Sequence, residues 1–429
     1  MTRMKESGID WIGQIPEEWQ ISKIKFTTQL NGRIGWQGLT SAEYKEEGPY
    51  LITGTDFQNG TINFETAVHI DERRWSEASQ IQVENGDLLI TKDGTVGKVA
   101  IISGLDGKAS LNSGVLRIQT IEEIDKRFLY YVLLSDEFWM WFNFTNSGAS
   151  TILHLYQNVF DEFTFTFPQK NEQQKIADYL DKKIAQLDKA KALLEEQIQK
   201  LKDYRASLIY ETVTKGLDKT VPMKDSGIDW IGQVPEGWKI GRVKDAFKLR
   251  SEKNFRPIEE VQLLSLYTEF GVFPHGDREE KGNKAVSTEG YKFVYKKDIV
   301  VNIILAWMGS IGISEYDGVT SPAYDIYEPL EGVCSKFFHY LFRTEAFAGQ
   351  CYKYGKGIMK MRWRTYSDDF KTIEIPIPDY NSQVNIVKFL DNKLKIINQL
   401  IDIKQEQIEN INKQRQTLIY DYVTGKRRV

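Results

Sequence analysis

A chain of 429 residues with 41% hydrophobic and 12% aromatic content can bury more than one core, so two globular units with connectors are expected rather than a disordered protein. The formal net charge of −4 gives no global attraction for nucleic acid, and any such contact must come from local basic clusters. No apolar run approaches the roughly 20 residues that cross a bilayer, and MTRMKESGID holds no apolar leader core, so a cytoplasmic chain without membrane contact is expected. Cys334 and Cys351 are too few for a disulfide framework, and the scattered His69, His154, His275 and His339 give no zinc spacing.

The chain opens on a string that recurs. ESGIDWIGQIPEEW (6–19) returns as DSGIDWIGQVPEGW (225–238) at an offset of 219, and 14 of the 21 positions from Lys5 to Lys25 match those from Lys224 to Lys244. After the first copy, GPYLITGTDFQNGTINF and ENGDLLITKDGTVGKVAII show β-branched runs broken by Gly, Asn and Asp, the pattern of strands and tight turns. A short helical stretch follows at 127–142. The second body repeats this plan with VQLLSLYT, YKKDIVVNIILAWMGSIGIS and a helical stretch at 335–350.

Each body closes on a Pro-marked boundary and a long helix. FPQKNEQQKIADYLDKKI (167–184) matches IPDYNSQVNIVKFLDNKL (377–394) at an offset of 210, and SLIYETVT matches TLIYDYVT at the same offset. From Glu172 to Val213 there is neither Pro nor Gly. Leu180, Leu187, Leu194, Leu201 and Leu208 recur every seven residues, with Ile184 and Ile198 between them, a coiled-coil seam. Leu390, Ile397, Ile411 and Leu418 continue the series in the second copy, with Leu394, Ile401 and Ile408 between. Lys191 and Lys404 interrupt the seams, either to fix register or with packed stems and solvated ammonium groups. The order body, helix, body, helix favours return of the second helix as an antiparallel partner. Trp11, Trp19, Trp230 and Trp238 are then expected in a clasp against the helix ends, a role compatible with docking another protein.

The expected fold is α+β: two pseudo-symmetric recognition domains joined by two long antiparallel coiled-coil helices. Its segments are 1–20 (repeat segment), 21–166 (first recognition domain), 167–216 (central helix), 217–239 (second repeat segment), 240–375 (second recognition domain) and 376–429 (C-terminal helix). Two variable bodies, each followed by a QxxIxxxLDxKI-like helix and headed by SGIDWIGxxPxxW, resemble the specificity subunit of Type I restriction-modification enzymes over essentially the whole chain. The resemblance implies that each body reads one half of a split double-stranded DNA target and that the helices act as spacer. It also implies docking of two adenine methyltransferase subunits, which would carry S-adenosylmethionine, and recruitment of restriction and translocase subunits.

Candidate DNA-binding residues lie in loops. CYKYGKGIMKMRWRTY (351–366) holds Lys353, Lys356, Lys360, Arg362 and Arg364 without an acid, interleaved with Tyr352, Tyr354, Trp363 and Tyr366. A basic, aromatic, glycine-containing loop suits phosphate contacts and Arg readout of guanine, although a merely solvated loop would have the same composition. The matching stretch in the first half, NSGASTILHLYQN, offers Thr151 and His154. Softer candidates are Arg33, Trp36 and Gln37 in one early loop, Lys253, Asn254 and Arg256 in its counterpart, and Lys92 and Lys98 around KDGTVGK.

Catalytic motifs are missing. SPAY (321–324) has Ala323 where the adenine methyltransferase tetrapeptide needs proline, and no F-x-G-x-G precedes it. GTVGK lacks phosphate-loop spacing. A non-catalytic DNA-recognition scaffold is the leading expectation. A coiled-coil assembly scaffold that does not bind DNA is the alternative.

Overall fold

The computed structural model describes residues 3–33, 39–146, 153–268, 271–275, 287–357 and 363–429. The chain divides into two compact units, Met1–Leu194 with Gln405–Val429, and Glu195–Lys404.

Unit 1 is built around an antiparallel sheet of β1 (Thr28–Gly32), β2 (Leu88–Thr91), β3 (Val99–Ile101) and β4 (Val115–Thr120), in the order β3-β2-β4-β1. Leu88, Ile90, Leu116 and Ile118 fill one face and Leu89, Ala100 and Val115 the other, the alternation a sheet covered on both sides requires. The first face packs on helices α1 (Lys126–Leu134) and α2 (Asp136–Thr145) through Phe128, Val132, Phe138 and Phe142. Asp125 caps α1, accepting hydrogen bonds from the Arg127 and Phe128 amides. The 46-residue helix α3 (Lys170–Lys215) leaves this unit for the next.

Unit 2 repeats the sheet. Strands β5 (Phe247–Arg250), β6 (Ile299–Asn302), β7 (Ile311–Ile313) and β8 (Tyr324–Pro329) lie in the order β7-β6-β8-β5, again all antiparallel. Helices α4 (Ser335–Phe342) and α5 (Glu345–Tyr354) cover it through Phe337, Phe338, Phe342 and Phe347. Helix α6 (Tyr380–Val423) ends in unit 1.

The repeated helix motif now has a physical reading. Gln173, Ile176, Leu180 and Asp181 lie at i, i+3, i+7 and i+8, on one face of α3. Gln173 is buried; it donates to the carbonyls of Glu123 and Pro168 and accepts from the Asp125 amide. Ile176 and Leu180 are fully buried, and Asp181 accepts from the Tyr131 hydroxyl at 2.6 Å and from Arg127 at 2.8 Å. In α6, Gln383 bonds Pro378 O and the Cys334 amide, Ile386 and Leu390 are buried, and Asp391 accepts from Tyr340 and Lys336.

Within each unit the two helices run antiparallel. Tyr179 meets Tyr422 and Asp188 meets Arg415 in unit 1; Arg205 bonds Asn398 and Gln197 bonds Lys404 in unit 2. The seam residues named from the heptads are buried or half-buried, and the ammonium of Lys404 donates to the Gln197 carbonyl oxygen.

The signature strings form matching hairpins, Met4–Glu6 on Gln14–Pro16 and Met223–Asp225 on Gln233–Pro235. Each receives a helix end. Tyr420 donates to Trp11 O at 2.8 Å, as Tyr210 does to Trp230 O at 2.7 Å. Gly425 and Gly216 close the helices at φ of +72°, and a Cβ on either would press on the Pro–Trp pair of the hairpin, Pro16 and Trp19 or Pro235 and Trp238. The indoles of Trp19 and Trp238 are buried in the two cores, which corrects their reading as a docking surface: those rings already have protein on every side. Trp11 and Trp230 are half-buried.

Candidate nucleic-acid interface

Sheet register gathers the candidate loops. In unit 1, Gly32 lies opposite Leu116 and Thr91 opposite Val115, so β1 and β2 end at the edge where β4 begins. In unit 2, Arg250 lies opposite Ile326 and Asn302 opposite Tyr324, which brings the segments after β5 and β6 to the same edge of the second sheet. Antiparallel order alone brings the chain leaving Gly32 to the same edge as the segment after Thr91, and places 251–256 beside 303–310.

Three of the unit 1 candidates meet at this edge. The Leu155 amide donates to Lys92 O at 2.9 Å, and His154 Nδ1 lies 2.7 Å from Asp93 Oδ1. Lys98 donates from its amide to Thr91 Oγ1 and from Nζ to Gly54 O at 3.3 Å. Tyr156 stands exposed beside the His154 ring. Arg33 differs from the expectation of a groove contact. It is buried, and its guanidinium donates to Leu111 O at 2.8 Å and Ser110 Oγ at 3.2 Å, tying down the base of its loop. Trp36, Gln37 and Thr151 lie outside the described residues.

In unit 2 the basic loop is pinned at its base. Lys356 and Arg364 pair through both backbone hydrogen bonds, and Trp363 stacks on Tyr352 at 4.9 Å while donating to its carbonyl. Gly355 is required here, since a Cβ would stand 2.2 Å from Trp363 Nε1. Arg364 and Tyr366 are exposed, and the Lys356 ammonium is paired with Asp369 at 2.9 Å. Lys360 and Arg362 lie outside the described residues.

Contacts link this loop to the one after β5. The Thr365 amide donates to Ile303 O and Ile303 to Ala323 O, while Lys292 Nζ donates to Tyr324 O and Lys292 bridges Lys253. Lys253 and Arg256 are exposed. Asn254 is instead fully buried; its side chain donates to Arg256 O, Thr288 O and Thr288 Oγ1 and accepts from the Arg256 amide. It shapes the loop and has no free edge for a base. Sequence reasoning passed over its neighbour Phe255. Extending the 219-residue offset would have found it, because 36 + 219 places Trp36 opposite Phe255.

Two reactive side chains of unit 2, His339 and Cys351, are shielded from water. Loss of water around the His339 ring pushes its pKa down to about 3, and its Nδ1 accepts from the Ile313 amide at 3.2 Å. Burial pushes the Cys351 thiol up, away from the nucleophilic thiolate. Among the described residues no cluster of three His, Cys, Asp or Glu could hold a metal ion, and no helix is long and apolar enough to cross a membrane.

The model of the Type I restriction modification DNA specificity domain matches residues 16–202 and 235–412. The chain is 24% identical to the type I restriction enzyme MjaVIII specificity subunit of Methanocaldococcus jannaschii over 97% of its length and 94% of that protein. It is 23% identical to the EcoBI specificity subunit of Escherichia coli over 98% and 89%. Among solved structures, a chain from work on the complex assembly and conformational transition of the type I R-M system aligns with a TM-score of 0.71 at 13% identity, covering 96% of this chain and 99% of that one. The HsdS subunit from Thermoanaerobacter tengcongensis aligns with a TM-score of 0.53 at 13% identity, covering 96% and 98%. At these identities the structural likeness concerns the fold.

Proposed function

Because this chain belongs to the Type I restriction modification DNA specificity domain family, with both halves matched, we propose that each unit reads one half of a bipartite double-stranded DNA target. The observation that carries this reading is the repeated sheet edge, delivered by the same strand order in both units but furnished with different side chains. In unit 1 the contacts are assigned to Lys92, Lys98 and His154, with Trp36, Gln37 and Thr151. In unit 2 they are assigned to Lys253, Arg256, Arg364 and Tyr366, with Lys360 and Arg362. Arginine at such an edge suits bidentate bonds to guanine, and lysine suits phosphate.

The chain works as a non-catalytic subunit, and two methyltransferase subunits bring S-adenosylmethionine and the methyl transfer. The long helices hold the two half-sites at a fixed spacing. On α6, Ile396, Leu400 and Ile403 fall at i, i+4 and i+7 and remain exposed, an apolar stripe suited to a methyltransferase subunit. Restriction and translocase subunits join through that complex, and the assembly acts in the cytoplasm.

The test exchanges residues 240–375 for the equivalent segment of a relative with a known, different target. The hybrid is co-expressed with a methyltransferase subunit, and methylated DNA is sequenced. The second half-site should change while the first half-site and the gap stay the same. Methylation by this chain alone, or a change in both half-sites, would overturn the reading.

A further inference from the structure

Phe255 is 75% exposed, the most exposed large apolar side chain among the described residues. Water disfavours an isolated phenyl ring, and a flexible loop would fold such a ring inward. This loop is prevented from doing so. Buried Asn254 holds the backbone on both sides through the side-chain bonds to Arg256 and Thr288, and its own amide donates to Tyr291 O at 2.6 Å while its carbonyl accepts from the Gly290 amide at 2.9 Å. The Phe293 amide bonds Glu252 O just before it, and Pro257 fixes φ just after Arg256. Between a buried anchor and a proline, the backbone at Phe255 is held and its ring stands in solvent.

Its neighbours are charged, with two basic residues beside it in the loop and Glu252, Glu260 and Asp317 lining the same cleft. Lys253 and Arg256 are exposed on either side, and the Arg256 guanidinium lies 5.9 Å over the Phe293 ring. The ring also lines an open cleft of about 510 Å³ with Phe293 and Tyr295, so apolar wall continues behind it. The first repeat has an aromatic residue, Trp36, at the same offset, although the bodies have otherwise diverged. An aromatic residue kept at one position while its surroundings change points to a partner with a π-face common to every target.

On the reading that unit 2 contacts DNA, we propose that Phe255 is a wedge that enters the base stack at one step of the second half-site. Lys253 and Arg256 hold the flanking phosphates, and the rigid loop supplies the orientation. Apolar side chains inserted between base steps unstack and kink the duplex, and the sequence at the step then governs how easily it opens. Phe255 would thereby contribute specificity without a hydrogen bond to any base.

The experiment uses the full chain co-expressed with its methyltransferase subunit and duplexes carrying 2-aminopurine at successive positions of the second half-site. Binding should brighten the probe at one step. F255A should abolish that rise, weaken binding to intact duplex by about ten- to a hundredfold, and lose far less affinity when the step already carries a mismatch. F255L should keep most of both signals. An adenine extruded for methylation would brighten with or without Phe255 and so be told apart. Because the ring is exposed, the variants should fold, and thermal unfolding coincident with the parent's would verify it. Equal affinity and fluorescence for F255A and the parent would overturn the wedge while leaving the DNA reading intact. A complex that neither binds nor methylates DNA would overturn both.

Discussion

The tyrosine that fastens a long helix to a signature hairpin makes the same bond twice, Tyr420 to Trp11 O and Tyr210 to Trp230 O, whereas the described residues of the loops at the two sheet edges are held by different contacts. The difference separates two kinds of constraint. A clasp must fit another part of the same chain, so a change on one side needs a matching change on the other. A loop that faces outward is limited only by its base, and both loops here are anchored by buried polar groups, Arg33 in one and Asn254 in the other. At these two edges the variation lies beyond the anchors that hold the loop bases.

Trp19→Ala tests the clasp most severely. Its ring is fully buried and meets Phe128 edge-on at 6.4 Å, so removal should cost about 3–5 kcal/mol in chemical denaturation. Trp238→Ala should cost a similar amount; a much smaller loss would break the equivalence of the two units.

Glu137 marks a place where the units differ in their interiors. It is buried on α2, neither carboxyl oxygen has a hydrogen-bond partner, and burial raises its pKa well above the usual carboxylate range. At the matching place in α5 stands Ala346. Glu137→Met should stabilise unit 1 by about 1–3 kcal/mol at pH 7, since it removes an unsatisfied polar group. The folded state holds this proton more tightly than the unfolded chain does. Parent stability therefore falls as pH rises above the ordinary carboxylate pKa, and the advantage of the variant should shrink at pH 4. An advantage independent of pH would contradict the assignment.

The two closing glycines give a finer comparison. Gly216→Ala and Gly425→Ala should each cost about 1–2 kcal/mol for a side chain in the left-handed region. The cost at 425 should be greater, because the new Cβ would stand 2.5 Å from Pro16 Cδ, against 3.3 Å from Trp238 at 216. Thermal unfolding of the pair measures the difference. The smallest effect belongs to Lys356→Ala. Its pair with Asp369 leaves the lysine side chain 69% exposed, so stability should change by less than about 1 kcal/mol. The salt dependence of DNA binding should nevertheless lose about one unit of slope if the ammonium moves to a phosphate.

The repeat, the long helices and the seam were legible because each leaves a periodic trace: identity at offsets of 219 and 210, and apolar residues every three to four positions. Two of the candidate site residues were misread for one reason. Arg33 and Asn254 are the residue types that read DNA and also the types that satisfy buried carbonyls, and only three-dimensional contacts separate the two roles. Phe255 was passed over because phenylalanine in a sequence implies core. Glu137 left no trace, since glutamate two residues into a helix is ordinary at the surface and its burial depends on what packs above it.

The core of unit 1 includes Ile419, Tyr422 and Val423 from the end of α6. On the ribosome, unit 1 therefore cannot close when residue 194 emerges. Another 225 residues (419 − 194) must first be made, a delay of roughly 10 to 45 s at common synthesis rates. Unit 2 is a single uninterrupted segment, 195–404, and all of it emerges before the last piece of unit 1. The second half of the chain can thus be finished while the first still exposes the apolar groove that α6 will fill. Nascent unit 1 is the stage at which a chaperone, or the corresponding helix end of another copy, has time to bind.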